Sequence, residues 1–283
     1  MTQVKIRLEK IHDLPTLPVV ANNIVQITRN PKTSALEVGK AISQDPALSS
    51  KVLRSANSAF YGFPKKISTV NHAIVILGFA NIRNIVLTAS IFDVLASKGG
   101  DNHFDREGFW EHSLACGITS KLLAKRMGIT NADEAFIWGL LHDLGKIVLD
   151  TYFNEDFNRV ISLVREKGIL IRDAEQQLLG SDHAEVGAAV AEKWNLPSTL
   201  IKVIRFHHNP SRANESMRMA AITHLADALC RAIGLGNGGD SKIPKIDEGA
   251  WKLLNPNRQL IKSLFIEMEQ EVASADGFSS FMK

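Results

Sequence analysis

Cysteine is scarce. The chain has two in 283 residues, Cys116 and Cys230. Two thiols make no disulfide framework and fit a reducing compartment. An excess of one charge is also missing, since 33 Lys and Arg stand against 30 Asp and Glu, a net charge of +3. That balance argues neither for nucleic acid nor for an anionic membrane as partner. Residues 1–10 are polar and charged, without the apolar centre of a signal peptide. The most apolar region, 73–96, is interrupted by Asn81, Arg83, Asn84 and Asp93. It falls short of a spanning helix and reads as a buried globular one. No internal repeat and no convincing alternating strand occurs. A cytoplasmic protein with no membrane partner is expected.

What is present is apolar mass, 45% of the residues, enough for a normal core in one large domain or two modest ones. The punctuation is that of helices joined by short turns. Leu14-Pro15-Thr16-Leu17-Pro18 is an extended entry. A helix over 19–29 stops at Asn30-Pro31, and Ser34 caps the next, to Ser43. Asp45-Pro46 is a strong start signal, an N-cap acceptor followed by Pro at the first helical position. Ser68 or Thr69 caps a helix ending near Gly78, and a long helix follows over 80–97. The polar, Gly-rich stretch 98–105 is the best boundary candidate. Further helices are expected over 109–127, 133–149 and 157–167, and from Asp182-x-x-Glu185 to Leu196-Pro197. Others cover 198–208, 215–233 and 248–273. The expected fold is all-α, a multi-helix bundle with an N-terminal helical part (1–100), a central helical part (101–235) and a C-terminal loop and helix (236–283).

The chemistry lies in where His and Asp fall. His112 shares a helical face with Ala115, Cys116, Thr119 and Leu122, so it points inward. His183 leads the inward stripe Val186, Gly187, Val190 and Trp194. His207 and His208 follow Leu200 and Ile204 at the same spacing. Asp227 sits among Ala220, Thr223, His224 and Ala228. Taken singly, each is most often a hydrogen-bonded core residue or a cap. Together they are costly to bury unless paired or metal-bound, and a divalent cation resolves those costs at one point. His142-Asp143, after the apolar run Phe136, Ile137, Trp138, Leu140 and Leu141, sits among them. Neighbouring helical residues point about 100° apart, so both reach one ion only in a crowded pocket. Imidazole with carboxylate suits Fe, Mn, Co, Ni or Zn, as one or two ions. Lys146, one turn on, is placed to hold a phosphate beside the metal.

The order His112, His142-Asp143, Asp227 resembles the H…HD…D pattern of the HD metal-dependent phosphohydrolase superfamily, with His183 and His207-His208 where two-metal members carry further histidines. The resemblance implies that His112, His142, Asp143 and Asp227 bind one metal. It implies that Asp143 bridges to a second held by the later histidines, and that Lys146 contacts phosphate. Asp143 and Lys146 are then the catalytic candidates. The N-terminal half is similar to something narrower. Leu14-Pro15-Thr16-Leu17-Pro18, Asp45-Pro46-Ala47-Leu48, Val52-Leu53-Arg54-Ser55-Ala56-Asn57-Ser58, Phe60-Tyr61 and the run 67–77 resemble the HDOD domain, the HD-related output domain of bacterial signalling proteins, over roughly 8–230. HDOD domains commonly lack metal ligands, whereas this chain keeps them. Asn209-Pro210-Ser211-Arg212 follows the paired histidines where HD-GYP phosphodiesterases carry GYP, so the resemblance does not extend to cyclic di-GMP hydrolysis. It implies a signal-transduction regulator retaining an HD-type metal site, with signalling proteins or a small phosphate-containing ligand as partners. The alternative is a metal-dependent phosphohydrolase acting on a nucleotide or other phosphate ester.

Overall fold

The computed structural model describes residues 16–30, 32–58, 60–96, 103–130 and 132–275, and all regular structure among them is helical. The all-α expectation holds. Leu14, Pro15, Pro31 and residues 98–102 of the polar stretch lie outside the described residues. The described residues divide into two compact units, one over 16–96 with 269–275 and the other over 103–268.

In the first unit α1 (Val19–Ile27), α2 (Ala35–Ser43), α3 (Pro46–Ala56) and α4 (Val70–Ala96) follow the expected signals. Ser34 and Glu37 form a full capping box. The Leu48 amide donates to the Asp45 carboxylate at 3.0 Å, and the His72 amide donates to the Thr69 hydroxyl at 3.2 Å. Each satisfies a helix-end donor that has no partner within its own helix. Ile24, Val38, Ile42, Val52, Ile74 and Ile82 build the core of this unit. The Asn57 side chain donates to Ile67 O and accepts from Ile67 N, both at 2.7 Å, closing the loop between α3 and α4. α4 is interrupted where expected: Gly78 has φ 76° and ψ 165°, a conformation only glycine adopts readily. By length and hydropathy Val70–Leu95 passes for a membrane span, but 61% of its most apolar window is buried within the fold and the break divides it, as in a core helix.

The second unit holds α5 (Arg106–Arg126), α6 (Ala132–Leu141), α7 (Leu144–Tyr152), α8 (Asn154–Lys167), α9 (Ile171–Leu179), α10 (His183–Lys193), α11 (Ser198–Phe206), α12 (Met217–Ala232), α13 (Glu248–Leu254) and the start of α14 (Arg258–Ser274). Three expectations are corrected. The helix expected over 133–149 is two helices, because the chain leaves helical geometry at His142-Asp143. The one expected over 248–273 is also two, because Asn255, disfavoured in the α conformation by the Pro256 ring, turns left-handed at φ 43°. α9 lies where no helix was expected.

Packing holds the break at 142–143 in place. A Cβ added to Gly145 would stand 1.9 Å from the backbone oxygen of His183 and 2.8 Å from Gly187 N. Only glycine lets α7 and α10 touch backbone to backbone, and that contact brings Asp143 against His183. Gly145→Ala should therefore cost at least the roughly 1–3 kcal/mol typical of overpacking, read as a lowered denaturant midpoint. A variant as stable as the natural chain would contradict this account.

Candidate metal centre

His112 is on α5, His142 and Asp143 fill the turn between α6 and α7, and Lys146 is in the first turn of α7. His183 opens α10, His207 and His208 close α11, and Asp227 is on α12. All lie in the second unit, and the fold brings them to one place. All but His208 are 0–1% exposed, and His208 is half-buried.

Asp143 is at the centre. It stands at the N-cap position of α7, yet its carboxylate makes no cap bond, so both oxygens are free for the cluster. Oδ2 lies 3.2 Å from His142 Nε2 and 4.0 Å from His112 Nε2. Oδ1 lies 3.1 Å from His183 Nε2 and 3.5 Å from His207 Nε2. The Lys146 ammonium donates to Oδ2 at 2.5 Å and to Gly238 O at 2.7 Å. The non-helical turn answers the problem posed by adjacent residues pointing apart, since His142 and Asp143 reach the same point because the helix ends there. Asp227 Oδ1 stands 3.2 Å from His112 Nε2, and His208 Nε2 stands 2.8 Å from His183 Nε2.

The other ring nitrogens decide what these contacts mean. His142 Nδ1 lies 2.6 Å from Gly139 O, His207 Nδ1 lies 2.8 Å from Ile204 O, and His112 Nδ1 lies 3.3 Å from Leu235 O. A carbonyl only accepts, so each Nδ1 carries a proton and each neutral ring presents a bare lone pair at Nε2. His183 Nδ1 is fixed likewise by Glu175 at 2.6 Å, and Glu175 also accepts from the His183 amide at 3.0 Å. Lone pairs thus face carboxylate oxygens across about 3 Å. Among the described residues His142 Nε2, His207 Nε2, Asp143 Oδ1 and Asp227 Oδ1 are buried with no hydrogen-bond partner. Either a second proton on each ring or a cation must sit between them. A committed Nδ1–H with an inward Nε2 lone pair is the usual dress of a metal-binding histidine, so the residues present fit a divalent ion. Donor atoms within 4.8 Å of one another fall into the groups His112, Cys116, His142, Asp227; His142, Asp143, His207; and His183, His207, His208.

The titration directions say which contacts a proton can relieve. Burial pulls the Asp143 carboxyl upward, but His142, Lys146 and His183 outweigh it and hold it well below the usual range. Burial acts in the same sense on Asp227, where His112 and Arg231 prevail and keep it low. Burial lowers His183, yet the Glu175 and Asp143 carboxylates raise it to about 9. Burial carries His207 down to about 4. Burial also takes His208 well below its ordinary value, helped by the His207 and His183 charges. A proton therefore settles the His183–Asp143 contact and leaves His207 and His208 bare.

Glu175 is the participant that the sequence did not reveal. Its signal was the α9 face Ile171, Ala174, Leu179, buried around a carboxylate that is itself 0% exposed. His224, seen in the sequence only as a neighbour of Asp227, has a supporting role: its Nδ1 donates to His207 O at 2.7 Å and its Nε2 accepts from Asp247 N at 2.9 Å, which fixes the end of α11. A cavity of about 340 Å³ opens beside the cluster, lined by His208, His224, Arg172, Lys245 and Ile171 among others.

Comparison with known proteins identifies the family and the fold. Residues 14–210 match the family described as the HDOD domain. The chain is 30% identical over 211 residues to an uncharacterized protein of Treponema pallidum, covering 74% of this chain and 40% of that protein; it thus spans well under half the length of that curated relative. It is similar in structure to an HDOD domain protein of unknown function from Geobacter sulfurreducens, with a TM-score of 0.81 and 26% identity over 96% of this chain and 98% of the other. It is also similar to a Shewanella amazonensis protein described as a candidate phosphohydrolase, with a TM-score of 0.72 and 28% identity over 97% and 96%.

The Glu175–His183 pair yields a test on metal-free protein. A histidine raised on folding from 6.5 to about 9 contributes roughly 3 kcal/mol. The contribution is complete below pH 6.5 and is lost as pH rises through about 9. Chelator-treated protein should lose stability across that interval, and Glu175→Gln should flatten the loss. An equally steep fall in the variant, by denaturant titration at each pH, would remove Glu175 from this role.

Proposed function

The chain belongs to the HDOD family, and from that premise we propose that it is a signalling regulator built around a retained HD-type metal centre. The observation carrying this reading is the convergence of buried, partnerless Nε2 and carboxylate atoms whose Nδ1 protons are already committed. His112, His142 and Asp227 hold one end of the centre, and His183, His207 and His208 hold the other. Asp143 lies between, one oxygen toward each. These residues would hold a divalent ion, which would supply Lewis acidity when bound. The chain's own groups do the rest. Glu175 orients His183, Lys146 fixes the Asp143 carboxylate, and the core excludes bulk water.

Two features favour regulation over turnover. Lys146 is 1% exposed and has spent two of its three donors on Asp143 and Gly238 O, which leaves little to offer a phosphate. Of the candidate ligands among the described residues, His208 is the one that lines the cavity. The second reading, a metal-dependent phosphohydrolase, is favoured by the position of Asp143 between the two ligand groups, by Arg172 and Lys245 at the cavity wall, and by the phosphohydrolase description of one relative.

Purified protein should carry at least one transition ion per chain, with occupancy falling at acid pH because the ligands must be deprotonated. His142→Ala should strip or weaken it; unchanged metal content in that variant would refute the assignment. Asp143→Ala should lose more metal than Lys146→Ala, and equal loss would contradict their roles. Little or no phosphodiester cleavage is expected. Robust metal-dependent turnover that disappears in His183→Ala would establish the second reading in place of the first.

A further inference from the structure

We propose that Cys116 is a thiolate ligand, completing a closed four-donor site with His112, His142 and Asp227. The inference rests on the metal-centre reading above and deepens it by giving the two ends of the centre different chemistry.

Cys116 follows His112 by one helical turn on α5, so both side chains leave the same face. It is 0% exposed. Its Sγ lies 3.5 Å from His112 Nε2, which lies 3.2 Å from Asp227 Oδ1. A tetrahedral ion with metal–sulfur, metal–nitrogen and metal–oxygen bonds of about 2.3, 2.0 and 2.1 Å has edges of about 3.5 Å between sulfur and nitrogen and about 3.4 Å between nitrogen and oxygen. The observed separations are close to those two edges. The donors of all four residues lie within 4.8 Å of one another. His142 Nε2 and Asp227 Oδ1 are buried, aimed into this space and without a hydrogen-bond partner. The helices are brought together at this point: a Cβ on Gly139 would stand 2.2 Å from the backbone oxygen of residue 116, so glycine there lets α6 lie on α5 with His142 one turn further along.

With Asp143 Oδ2 taken up by the Lys146 ammonium, these four protein donors make a closed, structural site, leaving Asp143 Oδ1 and the exchangeable positions to the His183, His207 and His208 end. A soft thiolate also selects Zn, Fe or Co over Mn, Mg or Ca. On binding, the Cys116 S–H bond breaks, its electron pair goes to the ion and the proton leaves to solvent. The second thiol serves as a control: Cys230 Sγ lies against Cys116 and meets the Thr119 hydroxyl at 3.3 Å, but it belongs to none of the donor groups, so its replacement leaves the four donors in place.

The test is the near-ultraviolet spectrum of the full chain, stripped of metal and reloaded with Co²⁺. A thiolate-to-cobalt charge-transfer band is expected in the natural protein and in Cys230→Ser, and absent in Cys116→Ser. Cobalt affinity should fall in Cys116→Ser by at least the roughly 10-fold that loss of an outer-shell partner costs. Should Cys116→Ser fail to fold, the band in Cys230→Ser decides alone, because Cys116 is then the only thiol. Bound cobalt without the band, or a band lost in Cys230→Ser and kept in Cys116→Ser, overturns this inference and leaves the metal centre standing. No cobalt binding at all overturns both.

Discussion

Everything in the second unit is arranged around one electrostatic conflict, the lone pairs of several imidazoles facing a carboxylate in a space closed to bulk water. In water such a contact is trivial, because solvent inserts a donor. In the interior no donor arrives, and the effective dielectric is low enough that each unmatched acceptor costs on the order of 1–3 kcal/mol. A chain that keeps Asp143, His142, His183 and His207 at these distances is organised for a positive charge at the centre. Lys146 supplies one such charge, at a single oxygen of Asp143, and without an ion the proton held on His183 supplies another, while His142 Nε2, His207 Nε2 and Asp227 Oδ1 keep no hydrogen-bond partner. The remaining atoms call for a cation of another kind.

The backbone is bent to meet that demand. The helix ends at His142-Asp143, so that consecutive side chains enter one pocket. α11 ends at His207, so that His207 turns inward while His208 reaches the cavity wall. The glycines at 139 and 145 bring α6 onto α5 and α7 onto α10 at distances that no Cβ tolerates. The outer groups hold the rings in register: Glu175 on His183, the carbonyls of Gly139 and Ile204 on His142 and His207, and His224 on the carbonyl of His207 itself. Preorganisation of this kind places ligands before an ion arrives, and it explains why much of the unit's polar burial lies in a single cluster.

The sequence displayed the set of inward His and Asp residues plainly, because those residue types are rare on apolar helical faces and each exception stands out. It displayed the caps at Ser34, Asp45, Thr69 and Asp182 for a different reason: cap chemistry is local, complete within three residues. The break at His142-Asp143 was hidden, since Leu-His-Asp-Leu contains no residue that stops a helix and the stop comes from the Gly145 contact with α10, some forty positions away. Glu175 was hidden because a glutamate on a short polar helix is ordinarily a solvated residue; only the buried face around it marks it. The division of the last helix was missed although its signal is local: at Asn255-Pro256 the ring clash acts on the residue before it, and that rule outweighs the apolar periodicity from which a single helix was expected.

The centre is asymmetric, and the asymmetry bears on how a regulator would use it. The end built from His112, His142 and Asp227 is sealed, its donors 0–1% exposed. The other end includes the half-buried His208, which lines the cavity with Arg172 and Lys245. A ligand entering from this cavity meets His208 first among the candidate metal ligands. An ion in the enclosed subsite would be held from α5, the turn after α6 and α12, whereas one at the other end would have the half-buried His208 among its ligands. The edge subsite can gain or lose a ligand with the movement of one side chain. In the proposed centre, then, the buried ion stabilises the fold and presents Asp143, and response to a signal belongs to the edge. Closure of the core and openness of one histidine are two parts of a single device, in which permanence at one end makes change at the other end readable.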